Sequence, residues 1–462
     1  LTNENTGQTE KINQLFETER LMDFIDQICP SAHELPPYKT VDGKGVVCDE
    51  NKPTAIFIFK TIHEPHVGEL SFFKVISGVI HAGDELTNEN TGQTEKINQL
   101  FETEGRQRIP VQQLMAGDIG ATLKLKDTHT NNTLHAKGFP VELQPIVYPE
   151  PTYTLAVEAT VKGEEERLSQ ALHQLVEEDP SLRIEVSPEL KQTLLHTTGE
   201  LHMNVIQWKL INVFKLHVDF KTPRIPFRET ITRAASTVYR HKKQTGGAGQ
   251  FAEVSMTIEP WTPDMAEPQG ISIRGKEEVD LPWGGKLIYY NAVVGGAIDT
   301  RFHSSILKGI MEKMTEGPLY GAYVRDIRVI VNDGKMHAVD SNDLAFKTAG
   351  MMAFKENFLN AAPQLMEPMQ KVVITAPEEV TGSVMGGIQT HRAMIEGMDS
   401  EGHFTLITAM IPKAEIHAFA GDLKSLSQGR AKFTMEFSHY QPISFEWQQE
   451  LIREVKHELL DV

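Results

Sequence analysis

Cysteine is nearly absent: Cys29 and Cys48 are the only two in 462 residues. Two thiols in no ligand spacing exclude both a disulfide framework and a zinc cluster, and leave reduced intracellular thiols as the expected state. No apolar run has transmembrane length, and the first residues lack a basic-then-apolar signal pattern. No membrane partner and a cytoplasmic location are therefore expected. Positive charge is in deficit, with 45 Lys+Arg against 63 Asp+Glu and a net −18. On average that disfavours phosphate binding, although a large acidic protein can still present a basic or neutral tip to RNA.

Catalytic signatures are missing as well. No Gly-x-x-x-x-Gly-Lys-Ser/Thr segment exists to cradle a nucleotide, and the pairs Gly43-Lys44, Gly275-Lys276 and Gly285-Lys286 lack both the upstream glycine and the following hydroxyl. There is no His-Glu-x-x-His, and Gly382-Ser-Val-Met-Gly386 puts serine in the wrong place for a nucleophile elbow. The 18 histidines are scattered singly, without Cys/His spacing. The expectation is a chain with no catalytic residues, no metal and no cofactor of its own.

What is present is a long globular chain, enough for roughly three or four domains. Residues 1–19 recur unchanged at 86–104. Natural repeats drift and come in many copies, so the first copy reads as a sequence-assembly artefact, left out of the fold expectation. An intact mass lacking it would confirm this; strand addition to a neighbouring molecule is the alternative. Residues 20–38 begin as a helix at Arg20–Ile28. From 39 to 150 short strands separated by Gly and Asn/Asp turns suggest a small β-barrel.

Residues 151–222 read βαββαβ, the ferredoxin-like order, with Leu168, Ala171, Leu172, Leu175 and Val176 on one helix face. The same order returns at 367–446, with stripes Val380, Val384, Ile388 and Ile416, Phe419, Leu423, Leu426. Between them, 223–366 reads as an α+β domain. Its features are strands near 254–258, 287–294 and 325–331, a helix through Ile306, Leu307, Ile310, Met311 and Met314, and a surface insertion at Trp261–Lys286. It also has a hairpin turn at Asn332-Asp333-Gly334 and a helix capped by Asp340 or Ser341. Residues 447–462 form a last helix. The fold class is α+β multidomain.

One loop stands out: Gln244, Thr245, Gly246, Gly247, Ala248, Gly249 and Gln250, between two strands. Three glycines in four positions let the backbone approach another surface closely, and the flanking polar groups can bond phosphate or sugar oxygens. Taken alone, it reads first as a flexible hairpin tip, since glycine is the default turn residue.

The segments Lys243-Gln-Thr-Gly-Gly-Ala-Gly-Gln-Phe, Arg228-Glu-Thr-Ile, Leu168-Ser-Gln-Ala-Leu, Glu178-Asp-Pro, Thr198-Gly-Glu-Leu-His, Val339-Asp-Ser with Ala345-Phe-Lys, and Gln428-Gly-Arg stand out too. Together, in their order along the chain, they resemble bacterial translation elongation factor G over nearly the whole of 20–440. The resemblance implies domains II, III, IV and V of that factor, with 20–38 as the remnant of its GTPase-domain end and linker. It also implies a monomer whose partners are the ribosome (rRNA and ribosomal proteins) and the tRNA–mRNA complex, and a full-length parent that uses GTP with magnesium. It carries ribosome-facing roles onto the loop 244–250, onto Lys335, His337 and Asp340 in a neighbouring turn, and onto Gly386, Gly387 and Arg392. It assigns Thr198, Gly199, Glu200 and His202 to the interface with the GTPase domain. Ala248 departs from the pattern, since the family usually carries Arg there. That cation would contribute a charge-assisted contact of roughly 1.5–3 kcal/mol before screening. This change and the insertion suggest a divergent paralogue. A protection, release or recycling factor, and a stand-alone RNA-binding module, remain alternatives.

Overall fold

The computed structural model describes residues 28–64, 67–105, 107–243 and 249–458, with Met22, Asp23 and Ile25 ahead of them. The duplicate at 1–19 and the loop positions Gln244–Ala248 lie outside the described residues; Met22, Asp23, Ile25 and Ile28 have helical backbone, as expected. The chain divides into two compact units, 1–186 with 193–221 and 187–192 with 222–462.

The first unit opens with an eight-stranded sheet whose centre is the antiparallel pair Ala55–Glu64 and Gly68–Ser77. Side chains from strands near both of its edges, Leu86 and Leu100, meet Ile56, Phe73 and Val75 in one core, so the sheet must wrap into a barrel. The second copy of the repeated segment is native to this domain. It supplies the strands Glu85–Asn88, Thr94–Lys96 and Leu100–Glu104 and buries Leu86, Ile97 and Leu100.

The βαββαβ domain follows: β1 Tyr153–Ala159, α1 Glu165–Glu178, β2 Arg183–Ser187, β3 Gln192–Thr197, α2 Glu200–Asn212 and β4 Val218–Lys221. The strand order β2-β3-β1-β4 is ferredoxin-like. Leu168, Ala171, Leu172 and Leu175 on α1 are buried against Met203, Ile206 and Leu210 on α2, as the 3.6-residue spacing requires.

The second unit contains β5 Arg228–Ile231, β6 Ala235–Lys243, β7 Gln250–Pro260, β8 Gly275–Asp280, β9 Lys286–Asn291, α3 His303–Glu316, β10 Tyr323–Val324, β11 Ile327–Lys335 and α4 Asp343–Asn360. The sheet β6-β7-β11-β9-β8 is antiparallel except for β9 beside β11. Helices α3 and α4 cover one face, and Ile306, Ile310, Met314, Phe346, Phe354 and Phe358 fill the interior. The two helices approach so closely that a Cβ on Gly309 would lie 2.1 Å from the Lys347 carbonyl oxygen.

Three sequence expectations change here. Asn332-Asp333-Gly334 does not turn the chain. It lies within β11, where pairing with β7 skips Asn332 and forms a bulge. The Asn332 side chain instead donates to Thr257, and Gly334 lets the strand pass against the Glu253 carbonyl, 2.3 Å from where a Cβ would stand. The cap of α4 is Asn342, whose side chain accepts from the Ala345 N–H, because Asp340 and Ser341 are engaged elsewhere. The stretch 261–286 is not a free insertion. It adds the edge strand β8, and Trp261 and Ile273 cover Ile288, Tyr290 and Ile330 on the sheet's second face.

The second ferredoxin-like domain comprises β12 Pro363–Pro377, α5 Glu378–Gln389, β13 Met394–Glu401, β14 Phe404–Pro412, α6 Lys413–Leu426 and β15 Lys432–Pro442, before α7 Phe445–Glu458. Its order β13-β14-β12-β15 repeats the first, and Val380, Val384, Ile388, Ile416, Phe419 and Leu423 are buried. The 15-residue β12 serves two domains at once. Residues Pro363–Met366 pair with β5, and from Met366 onward the strand pairs with β15 and β14 in the same sheet.

Arg228 and Glu229 on β5 are both buried. The Arg228 guanidinium lies 5.5 Å from the Tyr323 ring centroid and 5.0 Å from that of Tyr440, and it pairs with Glu189. Glu229 accepts N–H bonds from Leu319, Tyr320, Gly321 and Ala322, at 2.8–3.0 Å. Burial pushes its carboxyl up to about 7, although those four donors pull the other way.

Candidate nucleic-acid interface

Strands β6 and β7 run as one ladder from Ala235↔Ile258 to Lys243↔Gln250 and carry the loop 244–249 at their end. Alternation along β6 sends Val238, Arg240 and Lys242 to the exposed face, while Tyr239 and His241 are half-buried. Lys242 and Lys243 are exposed and make no ion pair among the described residues. The run Arg240-His241-Lys242-Lys243 was missed in the sequence reading. Its signal was plain: four consecutive basic residues leading into a glycine-rich loop.

The turn after β11 is pinned against the start of β7. The Phe251 N–H donates to the Asp340 carbonyl (2.9 Å), the Ser341 hydroxyl donates to the Phe251 carbonyl (2.7 Å), and the His337 N–H donates to Ser341 Oγ (2.8 Å). A Cβ at Gly249 would stand 2.8 Å from an Asp340 carboxylate oxygen, so this glycine permits the close approach. His337, Asp340, Gly249 and Gln250 are thereby brought together, and the Gln250 side chain reaches His241 Nε2 at 3.0 Å. His337 Nδ1 accepts from the N–H groups of Val339 and Asp340 (3.4 and 3.3 Å), which leaves Nε2 as the ring nitrogen that carries a proton. Asp340 Oδ2 lies 3.3 Å from Nδ1.

Lys335 joins the site through Glu253. That carboxylate, nearly buried, receives Arg240 at 2.5 Å and Lys335 at 3.3 Å. Burial pushes its pKa up, and the hydrogen bonds from Arg240 and Lys335 outweigh this and hold it below the ordinary glutamate value. Around the tip, four permanent cations (Arg240, Lys242, Lys243, Lys335) face two carboxylates, Glu253 and Asp340. A chain with net −18 thus concentrates positive charge at this end of the β6–β7 ladder.

The other expected residues are elsewhere. Gly386 has open space around its Cα, whereas a Cβ on Gly387 would strike Leu426. Arg392 sits in the left-handed region at φ 52°. Its guanidinium is taken up by Glu367 (2.7 and 3.0 Å) and Glu415 (2.9 Å), over the Trp447 ring. Its charge is neutralised inside its own domain. Thr198 and Gly199 lead into α2. The Thr198 N–H donates to His202 Nδ1, and His202 Nε2 lies 2.9 Å from Asp179. Exposed Glu200 continues into an uncovered stripe of Leu201, Val205 and Trp208. Among the described residues no cluster of three His, Cys, Asp or Glu side chains fits a metal, and no helix is long and apolar enough to cross a membrane.

Comparison with known proteins meets this arrangement domain by domain. Family models match in succession: elongation factor G domain 2 at 53–137, domain III at 148–222, domain IV at 223–362 and the elongation factor G C-terminus at 364–451. The class is that of the multidomain translation elongation factors. Proteins named elongation factor G from Thermotoga neapolitana and Thermotoga maritima are each 37% identical to the chain over 440 residues. A solved protein from Thermus thermophilus superimposes with a TM-score of 0.75 at 30% identity, covering 88% of this chain and 58% of its own. The chain belongs to the elongation factor G family. The matches take in 94% of it, and it spans 61% of the length of those curated relatives.

Proposed function

We propose that this chain is the ribosome-engaging portion of an elongation factor G-type translational GTPase that promotes tRNA–mRNA translocation. The observation that carries the reading is the basic β6–β7 arm, whose glycine-rich end is braced by the His337–Asp340 turn. A-form RNA offers its backbone and 2′-hydroxyls rather than its base edges, and a thin cationic tip suits that surface. Phosphate contacts from Arg240, Lys242, Lys243 and Lys335 supply affinity, and the His337 Nε2–H supplies a directional donor. The loop 244–250 makes the closest approach, to decoding-centre RNA of the small ribosomal subunit, with Ala248 in place of a cation.

Gly386 and Gly387 on α5 form a second, large-subunit contact, and Thr198, Gly199, Glu200 and His202 face the GTPase domain of the parent. That domain would hold GTP with magnesium for hydrolysis. The protein works as a cytoplasmic monomer. In the full-length protein, His337→Ala should slow translocation while leaving GTP hydrolysis intact; unchanged translocation would count against the reading. Ala248 favours a second reading, a ribosome-protection, release or recycling paralogue. Toeprinting separates the two, because a protection factor leaves the mRNA register fixed.

A further inference from the structure

A cleft of about 640 Å³ lies between the 281–285 turn and strand β15, outside the basic tip. Its walls carry the aromatic rings of Trp283, Phe437 and Tyr440, the Arg325 guanidinium and the His439 imidazole. Trp283 is half-buried and fixed by its indole N–H to the Val324 carbonyl (2.8 Å). Phe437 is 54% exposed although it packs on Tyr440, with ring centroids 5.2 Å apart. An exposed phenylalanine beside two fixed aromatic rings is a stacking platform with one layer unfilled.

Arg325 gives the cleft its charge. Its Nε donates to Asp326 (2.6 Å), and its guanidinium lies 5.3 Å from the Tyr440 ring centroid, while its terminal nitrogens make no further ion pair among the described residues. The backbone around it is held in conformations seldom adopted without cause. Asp326 has φ 56°, and Gly284 and Gly285 have φ 86° and 87°. A Cβ on Gly285 would stand 2.7 Å from Asp326 Oδ1 and 3.0 Å from Arg325 Nε, so only glycine lets the turn lie against this pair. Strain of this kind, kept at the rim of a cavity, marks a site worth testing for a ligand.

We infer that this cleft binds one unpaired nucleotide, its base stacked on Phe437 and Tyr440 and its phosphate paired with Arg325 and His439. The chemistry is shared by a free nucleotide and by a flipped-out residue of an RNA strand. It is independent of the tip, so its success or failure does not decide the translocation reading.

The test titrates the whole chain with GMP and, separately, with a six-residue single-stranded RNA, following quenching of Trp283 fluorescence. The Trp283→Phe variant supplies the background from the other tryptophans. Saturable quenching, lost in Trp283→Phe, is expected with at least one probe. Phe437→Ala, at an exposed position that leaves the fold intact, should weaken binding about tenfold, the effect of one lost stacking partner. Arg325→Lys, which keeps the charge but not the planar fork, should weaken it less than Arg325→Ala. Binding of GMP alone identifies a free nucleotide as the ligand, and tighter binding of the oligonucleotide identifies an RNA residue. Absence of saturable quenching with either probe, or equal affinity in Phe437→Ala and the unaltered chain, overturns the inference.

Discussion

Replacing Glu229 by glutamine should change how stability depends on pH more than it changes stability itself. The carboxyl is buried at the base of domain IV, with Oε1 receiving Tyr320, Gly321 and Ala322 and Oε2 receiving Leu319. Its folded value of about 7 stands above the ordinary 4.5. The native state therefore holds this proton more tightly than the unfolded chain does. The group's stabilisation is complete below about pH 4.5 and is lost as pH rises through about 7. A shift of that size is worth about 3 kcal/mol at most, and between pH 5 and pH 8 about 2–3 kcal/mol should disappear. Glutamine is an uncharged isostere, so in Glu229→Gln that slope should vanish. The variant should match or fall slightly below the parent at pH 5 and exceed it at pH 8. Urea midpoints followed through Trp447, which packs on Phe227 with ring centroids 5.8 Å apart, report on this region. Parallel pH curves for the two proteins would refute the reasoning and place the carboxylate in its charged form, stabilised by the four N–H donors.

Gly309→Ala should destabilise domain IV by about 2–3 kcal/mol, since the added methyl meets the α4 backbone and not a movable side chain, and thermal denaturation reads this directly. Lys242→Ala with Lys243→Ala should lower affinity for RNA and flatten its salt dependence by about one to two units of log–log slope, measured by titration at several salt concentrations. Glu253→Gln frees Arg240 and Lys335 from their shared carboxylate. It should tighten RNA binding at low salt, while costing stability that the parent itself loses only as pH falls through the depressed Glu253 value.

Much of the fold was legible because the signal was local. Both ferredoxin-like domains announced themselves through helical stripes such as Leu168–Ala171–Leu172–Leu175 and Val380–Val384–Ile388, whose burial depends only on period. The failures came where a distant partner overrides local chemistry. Asn332-Asp333-Gly334 has ideal turn composition, yet β7 across the sheet turns it into a bulge. Asp340 and Ser341 are good caps, but Phe251 claims Ser341 and the Asp340 carbonyl, and the cap moves to Asn342.

At the site, resemblance alone put the His337–Asp340 turn beside the loop 244–250; among the described residues, hydrogen bonds with Phe251 on β7 hold that turn against Gly249. The environment of Arg392 was not legible, because Glu367 and Glu415 are 25 and 23 residues away along the chain. The segment Arg228-Glu-Thr-Ile was readable only as a family marker. In the fold it buries one cation between aromatic rings and one carboxyl under a turn.

The claim that the β6–β7 tip meets small-subunit RNA is tested most directly by cleavage from a tethered iron chelate. Val339 is 80% exposed beside His337 and accepts a cysteine without disturbing the core. The Val339→Cys protein, full-length and with Cys29 and other exposed thiols replaced, would be loaded with the chelate and bound to ribosomes. Hydroxyl-radical cleavage confined to decoding-centre RNA of the small subunit is expected. Cleavage only in large-subunit RNA, or none in ribosomes that retain the protein, would contradict it.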